Sequence, residues 1–411
     1  MDRRKFMALS GALGVTAGAG LARAAPPDIT RLQGPAPALI APAERQARIA
    51  KAQALMRRQG VSALVIEPGS SLVYFTGIRW SRSERLTCAI IPAEGAIGVV
   101  TPLFEEPSVR ETLAVPADVR TWEEHEDPLA LVATWLRERK AGAVVGIDET
   151  DRFFIPDGLR KTLAGGKLVN GAAVVRGCRM IKSPAEIGLM QRASDITMAA
   201  YRYTIPRIEV GMRPGDVGAL MNRATQTLGG DPEFNLILLG EAAAYPHGSG
   251  KPQQVKPGEV VLMDCGCTAR GYQSDISRTF VFGEPSAKQR QVWSHVQKGQ
   301  QIAFEAATVG AAAGGVDDAV RRYYESLGYG PGYKLPGLSH RTGHGIGLDG
   351  HEPVNLVKGE MTRLAPGMCF SDEPGLYLPG EFGVRLEDCF HMTEQGPVWF
   401  SQPSKSLEEP V

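Results

Sequence analysis

The sequence predicts a mixed α/β (α+β) fold in two domains, and three observations carry that reading. The chain has 411 residues, more than one hydrophobic core ordinarily serves. Its first half alternates short apolar strands with helical segments, the pattern of an α/β domain. Its second half continues the alternation but concentrates the chemically suggestive Asp, Glu and His residues between His247 and Glu387.

The first domain is expected over residues 43–178. Ala43 to Gln59 is helical in pattern, and the apolar run Ser62 to Glu67 reads as a strand stopped by Pro68-Gly69. Strands are expected at Thr87–Ile91, Gly95–Val100 and Ala143–Ile147, with a helix at Leu129–Lys140. No cluster of ligand-type residues falls here, so packing, oligomer contact or covering a site is the expected role. The change of domain comes at Arg179 to Ile187. There Ser183, Pro184 and Glu186 have the N-cap, first-turn and capping-box spacing of a helix start, and the helix runs towards Tyr203. The second domain is expected over 179–405, and residues 25–42, rich in Pro and Ala, read as a linker.

Composition narrows the partners. With 45 basic and 45 acidic side chains, there is no excess charge to recruit nucleic acid or an anionic membrane. At the N-terminus, Arg3-Arg4-Lys5-Phe6 precedes an uncharged stretch from Met7 to Leu21 and then Ala22-Arg23-Ala24-Ala25. This is the order of n-region, h-region and A-x-A cleavage site, and the paired arginines resemble a twin-arginine export signal. Residues 1–24 are therefore expected to be a signal peptide and the mature protein to be periplasmic or exported. A membrane-anchored helix is the alternative, but the apolar segment is short. No later run is long enough to cross a bilayer, so the mature chain is expected to be soluble, without a stable span. Cys88, Cys178, Cys265, Cys267, Cys369 and Cys389 lack C-x-x-C spacing. Buried free thiols are expected, although Cys369 and Cys389 would lie near each other in the second hairpin described next.

Two segments carry the chemistry. Val260 to Cys267 and Tyr272 to Phe280 read as strands around a turn containing Ala269, Arg270 and Gly271. Asp264 and Asp275 are equidistant from a centre between Ala269 and Arg270, which would put them opposite each other on one face. In the second segment, Glu373 and Glu387 are equidistant from Gly380, in a turn marked by Pro379-Gly380. Facing carboxylates repel, and a divalent cation between them removes the cost. His344 sits between Gly343 and Gly345, small residues that let backbone approach a crowded site. Each hairpin alone could be a strand pair with solvent-facing acids. Four carboxylates and an imidazole together suit two adjacent Mn, Co or Zn ions, which could hold an attacking hydroxide between them.

At these residues the sequence resembles the pita-bread metallopeptidases of the aminopeptidase P and prolidase branch. The motifs are Met263-Asp264, Ser274 to Phe280, Gly343 to Leu348, Asp372-Glu373-Pro374-Gly375 and Val384 to Asp388. Tyr74-Phe75-Thr76-Gly77 resembles the creatinase-like N-terminal domain that precedes such catalytic domains. The resemblance implies Asp264, Asp275, His344, Glu373 and Glu387 as ligands of two divalent ions, manganese foremost, with Asp275 and Glu387 bridging. It implies a peptide with proline after the scissile bond as substrate, and a homo-oligomer, commonly a dimer. His247, His340 and His351 match substrate-site histidines, with His351 stabilising the tetrahedral intermediate and His247 near the leaving proline nitrogen. Glu373 would take the proton of the attacking water, and Arg385 would orient carboxylates and tyrosine. His125, His295 and His391 are expected to be structural. For a substrate carboxylate, Lys358 or Arg363 could supply a cation.

Related folds also host other chemistry. Creatinase lacks the full ligand set, and non-enzymatic relatives typically lose ligands, whereas all five are present here. A metal-dependent lyase or organophosphate hydrolase remains the alternative activity.

Overall fold

The computed structural model describes residues 29–411, so the expected signal peptide lies outside the described residues. Residues 29–41 form no helix or strand. They lie along the catalytic domain, where the Leu32 amide donates to Leu228 O at 3.0 Å and Arg192 Nη1 donates to Gln33 O at 3.1 Å.

In the N-terminal domain the strands are β1 (Ala63–Ile66), β2 (Cys88–Pro92), β3 (Ile97–Pro102), β4 (Ala117–Trp122), β5 (Val144–Ile147) and β6 (Lys167–Asn170). They form one mixed sheet in the order β4-β3-β2-β1-β5-β6. The helices are α1 (Pro42–Gln59), α2 (Ser70–Thr76), α3 (Glu106–Thr112), α4 (Pro128–Glu138), α5 (Phe154–Thr162) and α6 (Ala172–Arg179). Central β1 reads Ala-Leu-Val-Ile without alternation because both of its faces are covered. Leu64 and Ile66 pack with residues of α1, α2 and α6, while Ala63 and Val65 pack with residues of α4 and α5.

The catalytic domain opens on α7 (Pro184–Thr204). Its Ser183 cap and Glu186 form the reciprocal capping box that the sequence predicts. After α8 (Pro214–Leu228) come β7 (Asp231–Leu239), β8 (Val260–Ala269), β9 (Tyr272–Gln273) and β10 (Ile276–Val281), then α9 (Ala287–Ala306) and α10 (Ala313–Ser326). The remaining strands are β11 (Gly343–Gly345), β12 (Glu352–Leu356), β13 (Cys369–Asp372), β14 (Gly375–Leu378), β15 (Phe382–Arg385), β16 (Asp388–Thr393) and β17 (Gly396–Trp399). Alternation along β8 divides its surroundings: Val261, Met263, Cys265 and Cys267 pack with α7 and α8, and Val260 and Leu262 turn to the core shared with α9, α10 and the later strands. Asp264 belongs to this second face.

The first hairpin corrects one expectation. Ala269 pairs with Tyr272, so the turn consists of Arg270 and Gly271 alone, both with positive φ (55° and 90°). That is the signature of a two-residue primed turn. The register moves accordingly: Asp264 faces Ser277, and Asp275 sits diagonally, in the break between β9 and β10. A displacement of two residues preserves the face, so both carboxylates still point the same way. The second hairpin has the expected centre. Gly375 pairs with Arg385 in β14–β15 and Asp372 with Asp388 in β13–β16, leaving Glu373 and Glu387 across from each other where one ladder stops and the other starts.

Beneath the hairpins, Arg278 and Asp388 form a fully buried ion pair at 2.7 Å. Asp388 also accepts from Gln300 Nε2 at 3.0 Å and from Ser401 Oγ. Removing one partner of such a pair typically costs about 3–5 kcal/mol, so it ties the floor of the site together. All six cysteines are buried free thiols; Cys369 pairs across the ladder with His391, and Cys389 with Ser371.

Candidate metal centre

The two hairpins meet through one reciprocal backbone pair, Ser277 N to Glu387 O at 3.3 Å and Glu387 N to Ser277 O at 3.1 Å. This contact stacks the Asp264/Asp275 face against the Glu373/Glu387 face. His344 arrives from β11, whose glycines permit the approach: a Cβ on Gly343 would lie 2.1 Å from Ser371 O, and one on Gly345 would lie 2.6 Å from Glu352 O. The His344 amide donates to Ser371 Oγ at 3.0 Å, and its Nδ1–H donates to Gly345 O at 3.1 Å. That bond leaves the Nε2 lone pair directed at the acids, 3.3 Å from Glu373 Oε1 and 3.7 Å from Asp275 Oδ2.

Ligand atoms of Asp264, Asp275 and Glu387 lie within 4.8 Å of one another, as do those of His344, Glu373 and Glu387 and those of Asp275, His344 and His351. Arg385 orders the acids from behind. Its Nη2 donates to Asp264 Oδ2 at 2.6 Å, its Nε to Ser277 Oγ at 3.0 Å, and Ser277 Oγ donates to Glu387 Oε2 at 2.7 Å.

The protonation energetics are those of a cation site. Burial, and then the neighbouring Asp264 and Glu373 carboxylates, hold Asp275 well above the usual carboxylate range. Burial likewise raises Glu387, reinforced by Asp275. Glu373 is pushed up to about 7, chiefly by burial and against the pull of Arg385. Burial pushes His344 well below the usual imidazole range, so its contacts with the acids are not ion pairs. Asp264 Oδ1 is buried without a partner. A neutral imidazole, crowded carboxylates and an orphaned oxygen fit divalent cations in both donor chemistry and charge.

A cavity of about 670 Å³ opens on these groups, and all nine residues singled out in the sequence line it: His247, Asp264, Asp275, His340, His344, His351, Glu373, Arg385 and Glu387. The His351 ring meets His344 edge-on, with centroids 4.2 Å apart. Lys358 and Arg363 are not in the lining, and Arg363 instead donates to Gly310 O at 3.2 Å. Besides Arg385, the cation that lines the cavity is Arg341, whose side chain makes no hydrogen bond or ion pair among the described residues. Its place between His340 and His344 was the available sequence signal. Phe234 and Leu236 supply an apolar wall and Glu233 an acid at the rim. Nothing in the spacing of Ser277, Ser371 or Tyr377 announces their bonding roles. His125, His295 and His391 lie outside the lining; His295 bonds Tyr329, and His391 packs on Phe400.

Fold and site define a metal-dependent hydrolase with its acids carried on two crossed hairpins. The chain belongs to metallopeptidase family M24, whose family profile matches residues 188–394, and the Creatinase/Prolidase N-terminal domain profile matches residues 48–181. It is therefore a peptidase of a family that implies divalent metal ions. It is 35% identical to the "Probable dipeptidase PepE" of Mycobacterium tuberculosis over 85% of this chain and 92% of that one. It is 30% identical to the "Xaa-Pro dipeptidase" of Lactobacillus helveticus over 82% and 92%. The crystal structure of dipeptidase PepE from Mycobacterium ulcerans matches with a TM-score of 0.80 at 33% identity, covering 88% of this chain and 96% of that one. Among the described residues no helix is long and apolar enough to cross a membrane.

Proposed function

We propose that this chain hydrolyses the peptide bond preceding proline, with Asp264, Asp275, His344, Glu373 and Glu387 holding two divalent cations, manganese foremost. The observation that carries this is the cavity itself, which the five ligand side chains line together with the apolar Phe234, Leu236 and Pro246. An Xaa-Pro bond has no amide N–H to recognise, so a shaped apolar surface must receive the proline ring. The Xaa-Pro dipeptidase of Lactobacillus helveticus supports the same reading.

Bound there, divalent cations supply Lewis acidity and lower the pKa of water. The protein does the rest. Glu373 takes the proton of the attacking water and passes it towards the leaving nitrogen. His351, held below the usual imidazole range by partial burial and the nearby Arg341 cation, donates to the oxygen that becomes negative in the tetrahedral intermediate. His247 stands at the cavity edge near the leaving proline nitrogen, on a loop whose Pro246 O accepts from Arg385 Nη1 at 3.1 Å. Arg341 is the cation free to receive a substrate carboxylate, which favours dipeptides over longer peptides. The intact ligand set favours peptide hydrolysis over a binding role.

We further propose domains at residues 43–178 and 179–405, a homodimer, and export by a twin-arginine signal in residues 1–24 with a periplasmic mature protein. The deciding assay is turnover after metal reconstitution on an Xaa-Pro and an Xaa-Ala dipeptide. Equal rates would remove the proline assignment.

A further inference from the structure

His351 takes no hydrogen bond among the described residues, so its place is fixed by the loop that carries it. That loop is gripped on both sides of the histidine. Asp349, two residues before, accepts from Ser70 Oγ and, at 2.7 Å, from Arg179 Nη2. Glu352, one residue after, accepts from Arg179 Nη2 at 2.5 Å and from Lys182 Nζ at 3.0 Å. Glu352 Oε1 also turns back to the Leu348 and Asp349 amides at 3.0 and 3.2 Å, closing the loop on itself. Arg179, Lys182 and Glu352 are buried.

Two of the gripping groups stand on N-terminal helices. Ser70 starts α2, and Arg179 is the last residue of α6, one position past the proposed boundary but on a helix whose Val174, Val175 and Cys178 pack into the N-terminal core, which contains none of the five metal-site residues. Arg179 Nη2 donates to both carboxylates while Nη1 donates to Ser71 Oγ at 3.2 Å, so the planar guanidinium holds three partners through two separated nitrogens, which a single lysine ammonium does not reproduce. We propose that Arg179, assisted by Ser70, is a positioning residue for His351, so that the N-terminal domain acts in catalysis by holding this loop in place. A misplacement of order 1 Å in such a group is enough to cost about 10²-fold in rate. The proposal rests on the reading of His351 as the donor to the developing oxyanion.

The test is a double-mutant cycle in the full chain, with metal content, kcat and KM measured on one Xaa-Pro dipeptide. Arg179→Lys is expected to retain metal and KM while lowering kcat by about tenfold or more, and to change kcat by less than about twofold when His351 is already alanine. Should Arg179→Lys not accumulate as folded protein, Ser70→Ala carries the same cycle with a smaller expected loss, about threefold. Equal loss of kcat in the presence and absence of the His351 imidazole would overturn the positioning role alone. An unimpaired His351→Ala enzyme would overturn both this proposal and the reading beneath it.

Discussion

His340 Nε2 and the Tyr377 hydroxyl lie 2.7 Å apart, and the polarity of that bond is fixed by its neighbours. His340 Nδ1–H donates to Arg341 O at 2.7 Å, so Nε2 must accept; Tyr377 therefore donates, and its oxygen accepts from Arg385 Nη1 at 3.2 Å. Burial holds His340 down to about 3 and Tyr377 up to about 12, so neither changes charge near neutrality. Both nitrogens of His340 are thus occupied, and it steadies Tyr377 and Arg385. Tyr377→Phe should retain metal but lose about 1–3 kcal/mol of stability, because it strands buried partners on both sides. Thermal unfolding of the metal-loaded protein checks this; an unchanged Tm would mean that the chain of bonds carries no weight.

Asp275 and His351 should separate metal binding from turnover. Asp275→Ala is expected to lose metal and activity together. His351→Ala is expected to keep metal and lose about 10²-fold or more in kcat, the scale of one transition-state donor. Elemental analysis and kinetics on the same preparations distinguish the two. Loss of metal from the His351 variant would reduce its role to packing beside His344.

Arg341 offers a substrate test. Arg341→Met should raise KM for an Xaa-Pro dipeptide by about tenfold or more, the loss of one charge-assisted hydrogen bond. KM for the C-terminally amidated dipeptide, which lacks the carboxylate, should hardly change. A similar increase for both substrates would place the carboxylate elsewhere.

Metal uptake should release protons. The folded Glu373 titrates at about 7, against an ordinary 4.5, and Asp275 and Glu387 are also raised. Ionising these groups therefore costs the metal-free fold. The cost is absent below the ordinary value and complete above the folded one, so their contribution favours the metal-free fold at low pH and is lost as pH rises through about 7. His344 is already neutral and yields no proton. Apparent metal affinity should thus climb between about pH 6 and about pH 8. Calorimetry in buffers of different ionisation enthalpy counts the released protons; a count of zero would contradict the raised carboxyls.

Replacing Arg3 and Arg4 by lysine should leave the precursor in the cytoplasm, because a twin-arginine translocase reads the pair itself rather than its charge. Cell fractionation gives the answer, and undiminished export would dismiss that route.

The sequence was most legible where a strong local signal fixed the geometry. Pro379-Gly380 pins the second turn, and the β14–β15 pairing follows its centre. The first turn departs from its expected centre by one residue because Arg270 adopts a positive φ that arginine seldom takes, so the partner of Asp264 is Ser277 rather than Asp275. The face survived this shift because side chains alternate with period two. The supporting bonds were illegible for another reason: Ser277, Ser371 and Tyr377 act as single residues, each meaningful only once distant segments have met. Arg341, rather than Lys358 or Arg363, lines the cavity, and only the fold reveals which cation does so.

The break at Glu373 and Glu387 has a consequence for how the gene can vary. β14–β15 form a sheet of their own beyond the break, while β13–β16 are anchored in a five-stranded sheet before it. Residues inserted at the exposed Pro379–Gly380 tip would lengthen only that tip and leave the two glutamates where they are. A single codon lost between Arg385 and Asp388 would instead shift every residue that follows relative to Asp372, separating Arg278 from Asp388 and Ser277 from Glu387 at one stroke. Length variation in this part of the chain is therefore cheap at the tip and forbidden at its root.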